Sequence, residues 1–281
     1  MESRILTPAQ IEAYAAQLRV EERAPATLEK YLRNIRFFSA WQADRPVTKE
    51  GTARWKDILL ARGLSPATVN GRLAAVNGLF RFLNWEECRV KAVKVQRRVF
   101  RDSARELSRE EYRRLVEAAY QLKTERLALT METICATGIR VSELRHITVE
   151  AARAYRADVS LKGKVRTVIL PGKLCRKLLK FARKEKIASG EIFLAEDGKS
   201  ISRCQIWREM KSLCKRAGVE PSRVFPHNLR HLFAVCFYRS THDIVTLADV
   251  LGHSSINTTR IYLLSTGLEH ARQLEKLGLV S

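Results

Sequence analysis

Helical periodicity runs along most of this chain and stops in two places. In the first third of the chain, apolar residues recur at helical spacing over four segments, 8–18, 25–41, 49–62 and 66–85. Pro25 and Pro66 lie in two similar tetrapeptides, APAT and SPAT, at positions where the first turn of a helix tolerates a proline. We therefore expect a small N-terminal unit of four helices.

The first interruption is a basic, poorly patterned stretch between Lys91 and Arg105. Stretches of this composition are typical of connectors between domains. Helical signals resume at Ser108, which has capping-box spacing to Glu111. The sequence thus predicts a helical domain over residues 1–96, a basic linker over 97–104 and a second domain over 105–281.

The second interruption is a change to a β pattern over residues 156–170. β-branched and apolar residues flank Lys162-Gly163-Lys164, which indicates a tight hairpin. Beyond Pro171 the helical pattern returns and continues almost to the end. We expect a mainly α fold with a small antiparallel β-sheet, so that the second domain is α+β.

The charge of the chain favours a polyanionic partner. The formal net charge is +21 at pH 7, and both parts of the chain on either side of residue 100 are basic. A surplus of this size attracts nucleic acid at long range, and two basic lobes suit a grip on double-stranded DNA. A protein that is merely basic, or one associated with ribosomes, is the less specific alternative.

The rest of the composition argues against several classes of protein. No run of about 18 apolar residues could span a membrane, and residues 1–10 contain no secretion signal, so we expect a soluble cytoplasmic protein. Six cysteines are scattered without a CxxC pair, which argues against a zinc cage or a disulfide framework. We expect reduced, mostly buried thiols.

Candidate reactive residues occur in four segments of the second domain, of which two are ATGIRVSEL and KGKVRTVILP. Gly138 marks a helix end and Arg140 follows it, where a guanidinium group could bind phosphate. The predicted hairpin turn carries Lys162 and Lys164, whose ammonium groups could enter a groove or protonate a leaving oxygen. Taken alone, each is more typical of an ordinary surface position.

The other two segments are PHNLRHLFA and LADVLGHSSINTTRIY. His227 and Arg230 are three residues apart on one predicted helix face. His227 and His231 have the spacing of a metal pair, but the glutamate of an HExxH site is absent, so we expect no metal and no other cofactor. His253 lies at a predicted corner between helices, and Tyr262 follows about two turns later, where a tyrosine is usually a core residue.

These four motifs, in this order, closely resemble those of the tyrosine recombinases, or phage integrases, which include Xer-type and mobile-element enzymes. The resemblance covers nearly the whole chain, and the N-terminal helices match the family's core-binding domain more loosely. Position by position, it implies one catalytic set: Arg140, Lys162, His227, Arg230, His253 and Tyr262. The turn KGKVR is one residue shorter than the family's KGxKxR, so the choice of Lys162 over Lys164 depends on that alignment, and Leu232 stands where a small hydroxyl residue is common.

The resemblance also implies a mechanism and an assembly. Tyr262 would form a 3′-phosphotyrosyl link without metal or ATP, and strand exchange would pass through a Holliday junction held by four protomers on two duplexes. In the family a C-terminal helix commonly docks on a neighbouring protomer. Residues 267–279 have an apolar face that would suit such docking or an ordinary intramolecular helix.

Two other functions fit the same residues. One is a catalytically inactive DNA-binding accessory factor, although all six expected side chains are present. The other is an enzyme like a type IB topoisomerase, which would relax supercoiled DNA without a specific site. Among recombinases, the sequence leaves integration and excision, inversion and dimer resolution open, with a lean toward a mobile-element or inversion enzyme.

Overall fold

The computed structural model of the chain describes residues 4–95, 105–161, 164–262 and 275–276. The chain divides into two compact units, Met1–Arg97 and Arg98–Ser281. Each unit has its own apolar core. The predicted linker over 97–104 and the C-terminal segment 267–279 lie outside the described residues, apart from Glu275 and Lys276, so the exact domain boundaries stay a prediction.

The N-terminal unit consists of the four predicted helices and a short 3-10 helix. The helices are α1 (Pro8–Val20), α2 (Pro25–Gln42), α3 (Lys49–Ala61) and α4 (Pro66–Phe82), and the 3-10 helix is Glu86–Cys88. Hydroxyl side chains of Thr7, Thr48 and Ser65 accept backbone N–H groups at three of the helix starts. The core contains Phe38, whose ring lies 5.0 Å from that of Trp55 and edge-on to it.

The second unit is mainly helical and contains one two-stranded sheet. Its elements are α5 (Arg109–Gln121), α6 (Glu125–Thr137), a 3-10 helix (Val141–His146), α7 (Val149–Arg153), β1 (Arg156–Leu161), β2 (Lys164–Ile169), α8 (Gly172–Lys184), α9 (Arg203–Ala217), a 3-10 helix (Pro221–Arg223), α10 (Pro226–Thr241), α11 (Ile244–Leu251) and α12 (Ile256–Arg260). The predicted capping box at the start of α5 is present. Helix α6 packs against α5, α8 and α10, and its buried side chains Leu129, Met131 and Ile134 lie in the core.

The predicted hairpin is present, and its register decides which side chains enter the core. β1 and β2 pair antiparallel from Arg156 opposite Ile169 to Leu161 opposite Lys164. Val159 and Val168 are buried, whereas Val165 and Ile169 are exposed. Because side chains alternate along a strand, Arg166 lies on the same face as Val168 and points inward.

Two predictions from composition can be compared with the described residues. None of the helices in the described ranges is long and apolar enough to cross a membrane. All six cysteines are free, and three are buried: Cys88, Cys175 and Cys214. Cys135 and Cys236 are half-buried, and Cys204 is the one cysteine for which the prediction of mostly buried thiols was wrong.

Candidate catalytic site

Carbonyl groups at the C-terminal ends of two helices in the second unit bind one buried arginine. Gly138 follows the last residue of α6 and Gly252 follows that of α11, both in the left-handed conformation (φ 65° and 64°). Arg230 Nη1 donates to the Gly138 carbonyl at 2.5 Å, and Nη2 donates to the Leu251 carbonyl at 2.8 Å. Carbonyl groups at a helix C-terminus lack intrahelical partners, so these bonds satisfy them and fix the guanidinium.

Arg230 is buried and lies near the positive charge of a second arginine. Its residue surface is 3% exposed, and burial together with the charge of Arg140 lowers its pKa to about 10. The Tyr262 hydroxyl acts in the opposite direction and raises that pKa. Arg230 therefore stays charged at neutral pH, close to the tyrosine of the fourth motif.

A buried carboxylate organises two further arginines. Glu143 is 1% exposed, and its two oxygens accept from Arg140 Nη1 at 2.9 Å and from Arg166 Nη2 at 2.7 Å. Burial alone would raise the pKa of Glu143, but hydrogen bonds from Arg140 and the charge of Arg166 lower it overall. Arg166 Nη1 also donates to the Val250 carbonyl at 2.6 Å, so it joins the hairpin to the end of α11.

His253 lies directly after the α11 C-terminus, with both ring nitrogens engaged. Nε2 is 2.9 Å from Arg230 Nη2, and Nδ1 is 2.9 Å from Thr259 Oγ1. Burial is the largest cause of a pKa lowered to about 4, and the charges of Arg230 and Arg140 contribute. His253 is therefore a neutral imidazole at physiological pH.

Tyr262 lies just past the end of α12, which is capped by Ser255. Tyr262 is 3% exposed. Its ring is stacked on that of His253, with centroids 5.9 Å apart, and lies 5.2 Å from the ring of His231 in an edge-on arrangement. The ring of His227 lies 6.2 Å away. The tyrosine is thus buried at the edge of the arginine cluster.

His227 occupies the first turn of α10, directly after Pro226. The residue is exposed by surface area, yet neighbouring protein atoms partly desolvate its imidazole. This desolvation lowers the pKa of His227, and the charges of Arg230, Arg203 and Arg140 lower it further. A neutral imidazole at this position can accept a proton.

The electrostatic balance of the cluster favours an anion. Arg140, Arg166 and Arg230 contribute three positive charges, and among the described residues Glu143 is the one carboxylate that contacts two of them. The neighbouring imidazoles of His227 and His253 are neutral because their pKa values are lowered. A phosphoryl group that gains charge would therefore meet fixed donors and excess positive charge.

The structure brings five of the six predicted residues together. The rings of His227 and His253 lie beside that of Tyr262, and Arg230 contacts His253. Arg140 joins the cluster through Glu143, which also binds Arg166. Lys162 lies outside the described residues. Lys164 begins β2, and only its backbone is described. The choice between the two lysines therefore stays a prediction.

Sequence reasoning missed three residues of this site, which are Glu143, Arg166 and Thr259. Glu143 was recognisable as the single acid in the ATGIRVSEL motif, three residues after Arg140. Arg166 was recognisable only by its inward position between apolar residues, which requires the strand register. Thr259 gives no such signal, because its contact with His253 depends on how α11 and α12 meet.

A metal site does not emerge from the same residues. Within the described parts of the chain, no group of three or more His, Cys, Asp or Glu side chains is placed to hold a metal ion. His231, one member of the pair with metal spacing, lies with Nε2 3.9 Å from a carboxylate oxygen of Glu106.

The sequence of this chain is similar to those of known proteins. Residues 105–267 match the phage integrase family, and residues 11–87 match the N-terminal SAM-like domain of phage integrases. The chain is 30% identical to tyrosine recombinase XerA of Thermococcus kodakarensis, over 95% of this chain and 94% of the relative. It is 32% identical to tyrosine recombinase XerD of Brucella suis, over 90% of this chain and 91% of that protein.

A solved structure supports the fold. The chain is similar to a lambda integrase tetramer bound to a Holliday junction, with a TM-score of 0.73 and 19% identity, over 90% of this chain and 76% of that one. At this identity the likeness speaks for the fold alone. The family match covers more than half of the chain, and the four motifs lie within it. The chain therefore belongs to the phage integrase family and is a tyrosine recombinase, an enzyme that acts on DNA.

Proposed function

We propose that this recombinase cleaves DNA by attack of the Tyr262 hydroxyl on a backbone phosphate. The observation that carries the proposal is that the Tyr262 ring is stacked on that of His253, whose Nε2 lies 2.9 Å from Nη2 of the buried Arg230, within a cluster that has three arginines and one carboxylate. A tyrosine that served only the core would not need a charged guanidinium so close by. Burying that guanidinium costs free energy, which a role in binding the phosphate explains.

The attack forms a bond between Tyr262 Oη and phosphorus while the bond to the 5′ oxygen breaks. Negative charge gathers on the non-bridging oxygens, where Arg140 and Arg230 donate hydrogen bonds. His253 adds a third donor through Nε2. His227 accepts the tyrosine proton, because its lowered pKa keeps the imidazole neutral.

The leaving 5′ oxygen needs a proton, and the resemblance assigns it to Lys162. The product is a 3′-phosphotyrosyl link and a free 5′ hydroxyl. Because the phosphodiester energy is kept in the tyrosyl ester, a 5′ hydroxyl of another strand can reverse the step without ATP. Attack by a partner strand produces a Holliday junction, and a second pair of exchanges resolves it.

The assembly follows from this exchange. Four strands must be cut in two pairs, so we propose that four protomers bind two duplexes. The lambda integrase that shares this fold is described as a tetramer bound to a Holliday junction, which supports this arrangement. We also propose that residues 267–279 contribute the contact between neighbouring protomers, since the predicted apolar face there suits docking.

The N-terminal unit supplies a second grip on DNA in this proposal. Residues 1–96 form the core-binding domain, residues 97–104 form a basic linker and residues 105–281 form the catalytic domain. The match of residues 11–87 to the N-terminal domain of phage integrases supports this division. On this unit Arg72 lies over the ring of Phe37, with 4.4 Å from Cζ to the ring centroid, at a partly exposed position that could contact phosphate.

Covalent capture tests the proposal. Duplexes that bind the protein would be selected from a random pool, nicked near the bound centre and incubated with the wild type or with Tyr262→Phe. We expect a detergent-resistant adduct with the wild type and none with the variant, while both bind DNA equally. Bound DNA without an adduct would favour the accessory-factor alternative. Relaxation of supercoiled plasmid without a specific site would favour the topoisomerase alternative.

A further inference from the structure

Thr259 links the anion cluster to the proposed nucleophile. Its residue surface is 0% exposed. Its hydroxyl oxygen lies 2.9 Å from His253 Nδ1, and its backbone carbonyl accepts from the Tyr262 N–H at 3.0 Å. One residue therefore contacts both the histidine and the tyrosine of the site, although sequence reasoning assigned it no role.

The hydrogen bonds around His253 define its tautomer. Arg230 Nη2 can only donate, so His253 Nε2, 2.9 Å away, must accept. A neutral imidazole that accepts at Nε2 carries its proton on Nδ1. Nδ1 therefore donates to Thr259 Oγ1.

The proposed reaction requires the other tautomer. To donate to a phosphoryl oxygen, His253 must carry a proton on Nε2. If the ring stays neutral, Nδ1 then has a lone pair and needs a donor. A threonine hydroxyl can both accept and donate, whereas a carboxylate or a backbone carbonyl can only accept.

We propose that Thr259 is a positioning residue, whose hydroxyl holds the His253 ring in both tautomers and so lets it change from acceptor to phosphate donor while remaining neutral. The proposal rests on the proposed role of His253 in binding the phosphate. One proton leaves Nδ1 for water and one is taken up from water at Nε2, so the charge of the ring does not change. A third hydrogen-bond donor is thereby gained without a fourth positive charge beside Arg140, Arg166 and Arg230.

Two substitutions separate the hydroxyl from the rest of the side chain. Thr259→Val keeps the shape of the side chain and removes the hydroxyl. Thr259→Ser keeps the hydroxyl and removes the methyl group. In single-turnover cleavage of a nicked duplex, we expect the serine variant to match the wild type and the valine variant to be ~10-fold to 100-fold slower, the size of effect typical when a partner that orients a metal-bound histidine is removed. Binding to the same duplex should not change.

A role in packing predicts the opposite order, in which the valine variant is active and the serine variant is impaired. That order would overturn the proposal, as would equal rates for all three proteins or equal loss in both variants. Rescue by serine together with loss in valine supports it.

A spectroscopic measurement keeps this proposal separate from the proposed function. Nitrogen NMR of histidine-labelled protein without DNA reports which ring nitrogen of His253 carries the proton, with His253→Asn used for assignment among the six histidines. We expect the proton on Nδ1 in the wild type and in Thr259→Ser, and a shifted tautomer population in Thr259→Val. An unchanged spectrum in the valine variant contradicts the proposal. Failure of covalent capture would contradict the role of Tyr262 and leave this spectrum as it is.

Discussion

The two units of this protein differ in whether they bury charged side chains. Among the described residues of the N-terminal unit, the buried polar side chains are the uncharged Asn34, Gln42 and Thr52. In the second unit Arg230 and Glu143 are buried and hydrogen-bonded. Surface cations attract DNA additively and are screened by salt, whereas fixed buried cations act on a reacting group at close range. In the proposed function, the first unit therefore binds DNA and the second also carries out the chemistry.

This contrast predicts the largest effect at Arg230. Arg230→Lys keeps the charge but cannot reach the carbonyl groups of Gly138 and Leu251 together with His253. We expect cleavage to slow by ~10²-fold to 10³-fold, as when one donor to a developing oxyanion is lost. DNA affinity should change little. Single-turnover cleavage and equilibrium binding on one duplex measure both.

The matched control is Arg208→Lys, because Arg208 is an exposed arginine of the same unit. It should cleave at the wild-type rate. If Arg230→Lys also cleaved normally, or lost affinity and rate in equal measure, the distinction between binding cations and reacting cations would not hold.

The next effect concerns Glu143. Glu143→Gln removes the carboxylate that both Arg140 and Arg166 bind, and we expect it to lower the free energy of unfolding of this unit by about 1–3 kcal/mol. The pKa of Glu143 is lowered below its ordinary value of 4.5, so its contribution is present above that pH and is lost as pH falls through the folded value. The stability difference between wild type and variant should therefore shrink in acid.

Denaturant unfolding of both proteins at several pH values measures this difference. A difference that stayed constant from neutral to strongly acid pH would show that Glu143 contributes through shape rather than charge.

A pair of glycines provides a smaller and well-matched comparison. Gly252 and Gly218 both end helices in the left-handed conformation, with φ of 64° and 59°. A Cβ at Gly218 would meet nothing within 4 Å, whereas one at Gly252 would approach Arg166 Nε to 2.7 Å. Gly218→Ala should cost about 1–2 kcal/mol of backbone strain alone. Gly252→Ala should cost similar backbone strain and should also displace Arg166, which slows cleavage. Unfolding measurements report the strain, and cleavage assays report the effect of displacing Arg166. Equal cleavage rates for the two variants would show that Arg166 has no role in cleavage.

The smallest effect is expected in the N-terminal unit. Arg72→Ala should weaken DNA binding and reduce the slope of log affinity against log salt by about one, while Arg72→Lys should keep the slope. Cleavage at saturating protein should stay unchanged in both. A rate defect at saturation would mean that this unit also takes part in the chemistry.

Local signals explain why much of the fold could be predicted. Pro25, Ser65, Gly138 and Gly252 each act on the few residues beside them, so the helix ends that they mark could be read from the sequence. The order of the four motifs allowed five described site residues to be named. Composition and spacing alone left the same residues as plausible surface or core positions.

The remaining features depend on long-range packing. Arg166 points inward because of its register against Val159, whereas Val165 and Ile169, apolar residues of the same strand, are exposed. The bond between Thr259 and His253 depends on the angle between two short helices. The local periodicity of a sequence does not encode the register of two strands or the angle between two helices.

The central claim is that Tyr262 becomes joined to DNA. Trypsin cleavage after Arg260 and Arg272 gives a peptide, residues 261–272, in which Tyr262 is the one tyrosine. Mass spectrometry of the digested, nuclease-treated adduct locates the modified residue, and end-labelled strands show which end the protein retains. We expect a nucleotide on Tyr262, linked through a 3′ phosphate, with a free 5′ hydroxyl on the other fragment. A nucleotide on another residue, or a link through a 5′ phosphate, would contradict it.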